Sequence, residues 1–104
     1  MKLLFVTCLR DFKQDVMKIF HESAIKVFSI TETQGIKDDH DINLLQDWFG
    51  SKDGEYDSLI LFSFTSEAAA QTALQLTRDY NAANANRFPV RAFILPVENS
   101  NYSL

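Results

Sequence analysis

An alternating stretch from Lys26 to Thr33 stops at Gln34-Gly35 and is followed, over residues 36–56, by a polar, acidic and aromatic segment broken by Gly50 and Gly54. Alternation of apolar and polar side chains with β-branched enrichment predicts a half-buried strand, and Gln-Gly ends it. A strand that opens into so long a connection inside 104 residues leaves room for only a few short elements on either side. One small domain is therefore expected over 1–104, with a long exposed loop at 36–56 and a polar tail at 98–104.

The flanking elements follow from periodicity. Residues 3–9 (Leu-Leu-Phe-Val-Thr-Cys-Leu) form a nearly continuous apolar run of strand length, as in a strand with at least one buried face. Asp11 and Gln14 have capping-box spacing. Phe12, Val16, Ile19, Phe20 and Ala24 then recur at helical intervals, which predicts a first helix ending near Ala24. A short helical turn is expected near Asn43 to Phe49 and a third strand over Asp57 to Phe64. A second helix is expected after a Thr65 or Ser66 cap, with Ala69, Ala73, Leu76, Thr77 and Tyr80 on one face. Asn81 to Asn86 ends that helix with turn-tolerant residues, Pro89 delays pairing, and Val90 to Val97 supplies a fourth strand. The order β-α-β-β-α-β is that of the ferredoxin-like α+β fold, a four-stranded antiparallel sheet with both helices on one face. Such a sheet has a second face, and strands this rich in Val, Ile, Leu and Phe leave it apolar, so burial against other copies is expected.

Composition excludes several classes. The formal charge is -4, with 23% charged residues and no cluster of Lys or Arg, which argues against a nucleic-acid surface. No apolar run reaches the roughly 20 residues that span a bilayer, so direct membrane insertion is not expected. One cysteine cannot form an internal disulfide, and the N-terminus passes straight into a strand, which together favour a cytoplasmic location. Cys8 within an apolar run, with His21 beside Glu22 on a helix, reads as core packing and not as a nucleophile with its base. The phosphate-cradling version of the fold needs glycines before a helix, where Thr7-Cys8-Leu9-Arg10 has none, and the soft-metal version needs a second cysteine. The expectation is a protein that is not an enzyme.

Three groups of residues remain as candidate sites. Asp38, Asp39, His40 and Asp41 combine carboxylates with an imidazole, a donor set suited to a divalent ion, although consecutive residues rarely all face one ion. Trp48 and Phe49 are aromatic anchors in an exposed loop, suited to a partner interface or to packing on a neighbouring subunit. Arg87 and Arg91 are cations at the approach to the last strand, available to an anion.

Met1-Lys2-Leu3-Leu4, Phe12, Asp15 and Val16, together with Ser29-Ile30-Thr31-Glu32-Thr33-Gln34-Gly35, resemble the N-terminal third of the PII family of bacterial signalling proteins, whose second strand reads Thr-Val-Thr-Glu-Val-x-Gly. Phe93-Ile94-Leu95-Pro96-Val97 also looks like the closing strand of the CutA-like proteins of similar fold. Both resemblances imply a homotrimer. The PII resemblance implies a regulatory protein whose 36–56 loop docks on a target, a membrane transporter or efflux system being the expected kind. It also implies a ligand cleft between subunits, in which Ser29 and Gly35 match the family's positions; Gln34 beside Gly35 is a further candidate, and Arg87 and Arg91 remain as candidate anion contacts although the rest of the family's cleft pattern is missing. The glycines that let a backbone approach phosphates are missing from Asn81-Ala82-Ala83-Asn84-Ala85-Asn86-Arg87-Phe88, so tight ATP binding is not expected. The CutA resemblance offers the alternative of a divalent-metal homeostasis protein using Asp38 to Asp41.

Overall fold

The computed structural model describes residues 1–36, 57–85 and 88–104. Its elements are β1 (Lys2–Leu9), a 3-10 turn (Arg10–Phe12), α1 (Lys13–Glu22), β2 (Ser29–Gln34), β3 (Asp57–Thr65), α2 (Glu67–Ala83) and β4 (Arg91–Pro96). The four strands pair antiparallel in the order β2-β3-β1-β4. This is the expected ferredoxin-like arrangement, with the long apolar strand β1 and its partner β3 at the centre and two short strands at the edges.

Alternation along β1 divides the molecule. Leu4, Val6 and Cys8 point to the helices and join Val16, Ile19 and Phe20 of α1, Leu59 and Leu61 of β3, and Ala73 of α2 in one buried core. Phe20 is fully buried and meets the edge of Phe28 with ring centroids 4.9 Å apart. Alanines at 70 and 73 remove side-chain bulk where α2 lies on the sheet, and both are buried. The opposite side chains of β1 (Leu3, Phe5, Thr7 and Leu9) lie on the face turned away from the helices, in register with Phe64, Phe62, Ile60 and Ser58 of β3.

Local chemistry shifts several element ends from their expected positions. Asp11 does not cap α1: the chain enters through the 3-10 turn, the N-cap position is Phe12, and no side chain accepts there. The second expected cap holds, since Ser66 Oγ accepts from Ala69 N–H at 3.1 Å. Residues 26–28 are not yet strand, because β2 begins at Ser29. Ser63 Oγ of β3 donates to the carbonyl of Val27 at 2.7 Å and holds that approach against the sheet. The helical turn expected near Asn43 lies outside the described residues.

The exit from α1 is a paired-carbonyl stop. Ala24 N–H donates to His21 O at 3.1 Å and Ile25 N–H to Phe20 O at 2.9 Å, the Schellman pattern, with Ile25 and Phe20 both in the core. The pattern requires a left-handed residue at Ala24, whose φ is 61°. A Cβ there is strained, so Ala24→Gly is expected to raise stability by up to about 1 kcal/mol despite glycine's greater freedom when unfolded. Urea denaturation measures it. A loss of stability would mean that the Cβ packs usefully.

Candidate functional site

The face turned away from the helices carries Ser29 and Arg91 of the candidate residues. Its lower part is aromatic and aliphatic: Phe5 faces Phe93 across β1 and β4 with ring centroids 6.4 Å apart, and Leu3 is in register with Phe64 on one side and Leu95 on the other. Phe64 is 51% and Leu95 43% exposed, an apolar surface open to water in the single protomer. The upper part mixes hydroxyls with Ile60 and Leu9. Thr31 and Thr33 of β2, Ser58 of β3, Thr7 of β1 and Arg91 of β4 lie there, with Thr7 paired to Arg91 and Thr33 to Ser58.

Four of the candidate residues lie in the described part of the chain. Ser29 opens β2, exposed, opposite Phe62; Gln34 closes the same strand, exposed, opposite Asp57; Gly35 follows it and is buried. Arg91 is half-buried at the start of β4. β2 and β4 are the two edges of the sheet, three inter-strand spacings or about 14 Å apart. Ser29 and Arg91 therefore do not converge within one protomer, and a cleft that uses both has to be built from two copies. Arg87, Trp48, Phe49 and the cluster Asp38, Asp39, His40 and Asp41 lie outside the described residues. Among the described residues no group of three metal-ligating side chains converges.

Two of the clefts among the described residues lie at opposite edges of the sheet. One, of about 490 Å³, runs between α2 and the edge of β4 and is lined by Leu74, Thr77, Arg78, Asn81, Arg91 and Phe93 among others. The other, of about 560 Å³, lies at the opposite edge, where the C-terminal tail brings Ser100, Tyr102 and Leu104 beside Val27, Ser29 and Phe64. Both volumes suit a small ligand. Asn81 positions the first cleft. Its amide donates to Val90 O at 2.8 Å and its Oδ1 accepts from Val90 N–H at 3.0 Å, which clamps the residue next to Arg91 onto α2. Read from sequence as a helix-ending residue, Asn81 is instead inside α2, which continues to Ala83.

Cys8 and His21 are not poised as a nucleophile and its base. Cys8 lies in the core and burial pushes its thiol up to about 12, so the nucleophilic thiolate is absent near neutral pH. His21 is exposed on α1. Tyr80 donates to Asp15 Oδ2 at 2.5 Å and is also raised to about 12, by burial first and then by that carboxylate, a contact that ties α2 to α1. Arg10 and Glu32 form a 2.8 Å ion pair between the 3-10 turn and β2, exposed and hence of small energetic weight. No described helix is long and apolar enough to cross a membrane.

Sequence reasoning missed Thr7, Ser58 and the tail wall at Tyr102 and Leu104. Thr7 had a legible signal, a hydroxyl inside an apolar strand; the others depend on register and on where the tail returns.

No protein-family model matches the chain, and no curated protein matches it either. Solved structures do. A PII-like signalling protein of Thermus thermophilus is similar over 89% of this chain and 82% of that one, with 19% identity and a TM-score of 0.62. CPII of Thiomonas intermedia, a nitrogen regulatory PII-like protein solved with ADP, AMP and bicarbonate, is similar over 95% of this chain and 93% of its own, at 13% identity and a TM-score of 0.60. The same protein with ADP, AMP and acetate gives 12% identity and a TM-score of 0.64, over 90% of this chain and 82% of that one. At these identities it is the fold that is shared, and the four-stranded sheet with both helices on one side belongs to it: this chain has the fold of the PII-like signalling proteins.

Proposed function

We propose that this protein is a PII-like regulatory protein that acts by binding and not by catalysis. It works in the cytoplasm as a homotrimer, takes a small ligand in clefts between protomers, and docks its 36–56 segment, with Trp48 and Phe49 as anchors, on a target protein such as a membrane transporter. The observation that carries this reading is the apolar sheet face, with Phe64 and Leu95 about half exposed, next to candidate ligand residues split between opposite edges. A ring of copies supports both at once, because a head-to-tail contact brings one protomer's β4 edge, with Arg91, towards the next one's β2 edge, with Ser29. The similar solved structures are PII-like, which disfavours the CutA-like metal-homeostasis alternative.

CPII was solved with ADP and AMP, yet this chain lacks the glycines before β4 that would let its backbone cradle phosphates. Residues 98–104, which wall the second cleft through Ser100, Tyr102 and Leu104, hold no arginine or lysine. A triphosphate there would lose its hydration without enough cations to replace it. Isothermal titration with ATP, ADP and AMP, with and without magnesium, is expected to give no submicromolar ATP constant. A submicromolar value would make ATP sensing the function. A monomer by light scattering at micromolar concentration would remove the intersubunit cleft altogether.

A further inference from the structure

Exposed apolar side chains gather at two places. Of the six large hydrophobic side chains exposed among the described residues, four (Val27, Phe64, Tyr102 and Leu104) line the cleft walled by the tail, and a fifth, Leu95, lines a groove at the opposite edge of the sheet. That groove, of about 640 Å³, runs between α2 and β4 and is bounded by Gln71, Leu74 and Arg78, which share one face of the helix. The tail gains little cover where it lies, since Tyr102 is 65% and Leu104 66% exposed, with Val27 beside them at 84%. Among the described residues it is held by one hydrogen bond, internal to it, from Tyr102 N–H to Ser100 Oγ at 2.9 Å.

Strand register puts the two places at the same height. Ser29 pairs with Phe62, Phe62 with Phe5 and Phe5 with Phe93, a single row across all the strands. Phe64, Leu3 and Leu95 make the adjoining row. Ser29, Phe62 and Phe64 line the tail cleft, whereas Phe5, Phe93 and Leu95 line the groove. Rotation about an axis that runs along the strands preserves height, so a head-to-tail ring sets the tail cleft of one copy against the groove of the next. The chemistry of the two walls agrees: no described side chain lining the tail cleft is charged, and Arg78 is the single charged one lining the groove. A second copy is the occupant that covers both places at once, because it carries the tail on one edge and the groove on the other.

We propose that in the assembled protein Tyr102 and Leu104 of one copy seat in the groove between α2 and β4 of the next, against Leu74 and Leu95. This deepens the reading of a ring of copies, on which it rests, and names the tail as the element that joins them.

Cross-linking tests it. The one cysteine, Cys8, is buried with its thiol pushed up to about 12, so a thiol added at the surface is the reactive one. Gln71 and Leu104 are both exposed and line clefts at opposite edges of the sheet, so Gln71→Cys and Leu104→Cys in one full chain link between copies and not within one. Treated with a short bis-maleimide, that double variant is expected to run as covalent dimers and trimers on a denaturing gel, about tenfold more abundant than from either single variant. Tyr102→Ser combined with Leu104→Ser is expected to weaken association about tenfold by light scattering, as loss of apolar anchors does, and to leave the circular dichroism of the protomer unchanged. A trimer whose cross-linking stays at the single-variant level, or links within the chain alone, overturns the tail contact and leaves the ring standing. The same holds for a Tyr102→Ser, Leu104→Ser protein that assembles like the wild type. Linked species from a protein that light scattering finds dimeric would remove the trimeric reading and leave the tail contact standing, and a wild-type protein that is monomeric at micromolar concentration overturns both.

Discussion

Phe64→Asp is expected to leave the protomer folded and to abolish self-association, weakening assembly by two orders of magnitude or more. Phe64 is 51% exposed, so the folded protomer loses little when it is replaced. In a trimer the same position is covered in three copies, and each would bury an unpaired carboxylate. Losing one partner's compatibility at a buried position costs about 3–5 kcal/mol, and each 1.4 kcal/mol is tenfold in an association constant. Leu95→Asp, at an exposed position in register with Leu3 on the same face, is the companion variant. Light scattering coupled to size exclusion reads the mass, and circular dichroism with thermal melting establishes that the protomer is intact. A Phe64→Asp protein that remains trimeric would mean that this face is not the interface, and the intersubunit cleft would lose its basis.

Phe20→Ala is expected to produce the largest loss of protomer stability, about 3–5 kcal/mol. Phe20 is fully buried, its ring meets the edge of Phe28 at 4.9 Å, and its carbonyl accepts from Ile25 at the end of α1. Truncation removes the transfer energy of the ring and leaves a cavity bounded by a rigid helix stop on one side and the sheet on the other, so collapse can fill little of it. A small domain is stabilised by about 5–15 kcal/mol in all, and with a urea slope near 2 kcal/mol/M the midpoint is expected to fall by roughly 2 M. The Phe64→Asp background, in which assembly no longer contributes, gives the cleanest measurement. A change below about 1 kcal/mol, well under the range for a buried aromatic, would show that the core is centred elsewhere.

The stop at the end of α1 illustrates how far local sequence carries. Helical periodicity ended α1 near Ala24 because Val16, Ile19 and Phe20 recur at the spacing that buries one face, and the observed helix ends at Glu22. Nothing local marks Ala24 as left-handed, since alanine has no preference for positive φ. The tertiary demand that Ile25 return to the core against Phe20 imposes it. The entry to α1 shows the reverse failure. Asp11 and Gln14 have the spacing of a capping box, yet the 3-10 turn at Arg10–Phe12 displaces the helix start to Lys13 and leaves Asp11 exposed in the turn.

The candidate site divides in the same manner. Gly35 and Arg91 could be picked out from type and position, one as the glycine after a strand, the other as a cation at a strand start. Ser29 came only from the PII resemblance, and its separation from Arg91 by the full width of the sheet could not be read from either residue. Asn81 was legible as a turn-tolerant residue and turned out to clamp Val90, since the meaning of its side chain depends on what the chain brings within hydrogen-bonding distance of it nine residues later.

By itself, then, the sequence determined element order, fold class and the existence of an apolar second face, because these follow from the periods of 2 and 3.6 in side-chain polarity, which each segment carries independently of the rest. Only the tertiary structure decided register, and with it which side chains share a face. Pairing Leu9 with Ser58 puts the hydroxyls of Ser58 and Thr7 on adjacent strands of one face and sets Thr7 against Arg91, whereas a slip of one residue would have turned the β3 hydroxyl into the helix-side core. Register depends on contacts between segments far apart in the chain, β1 with β3 and with β4, and no local pattern encodes it.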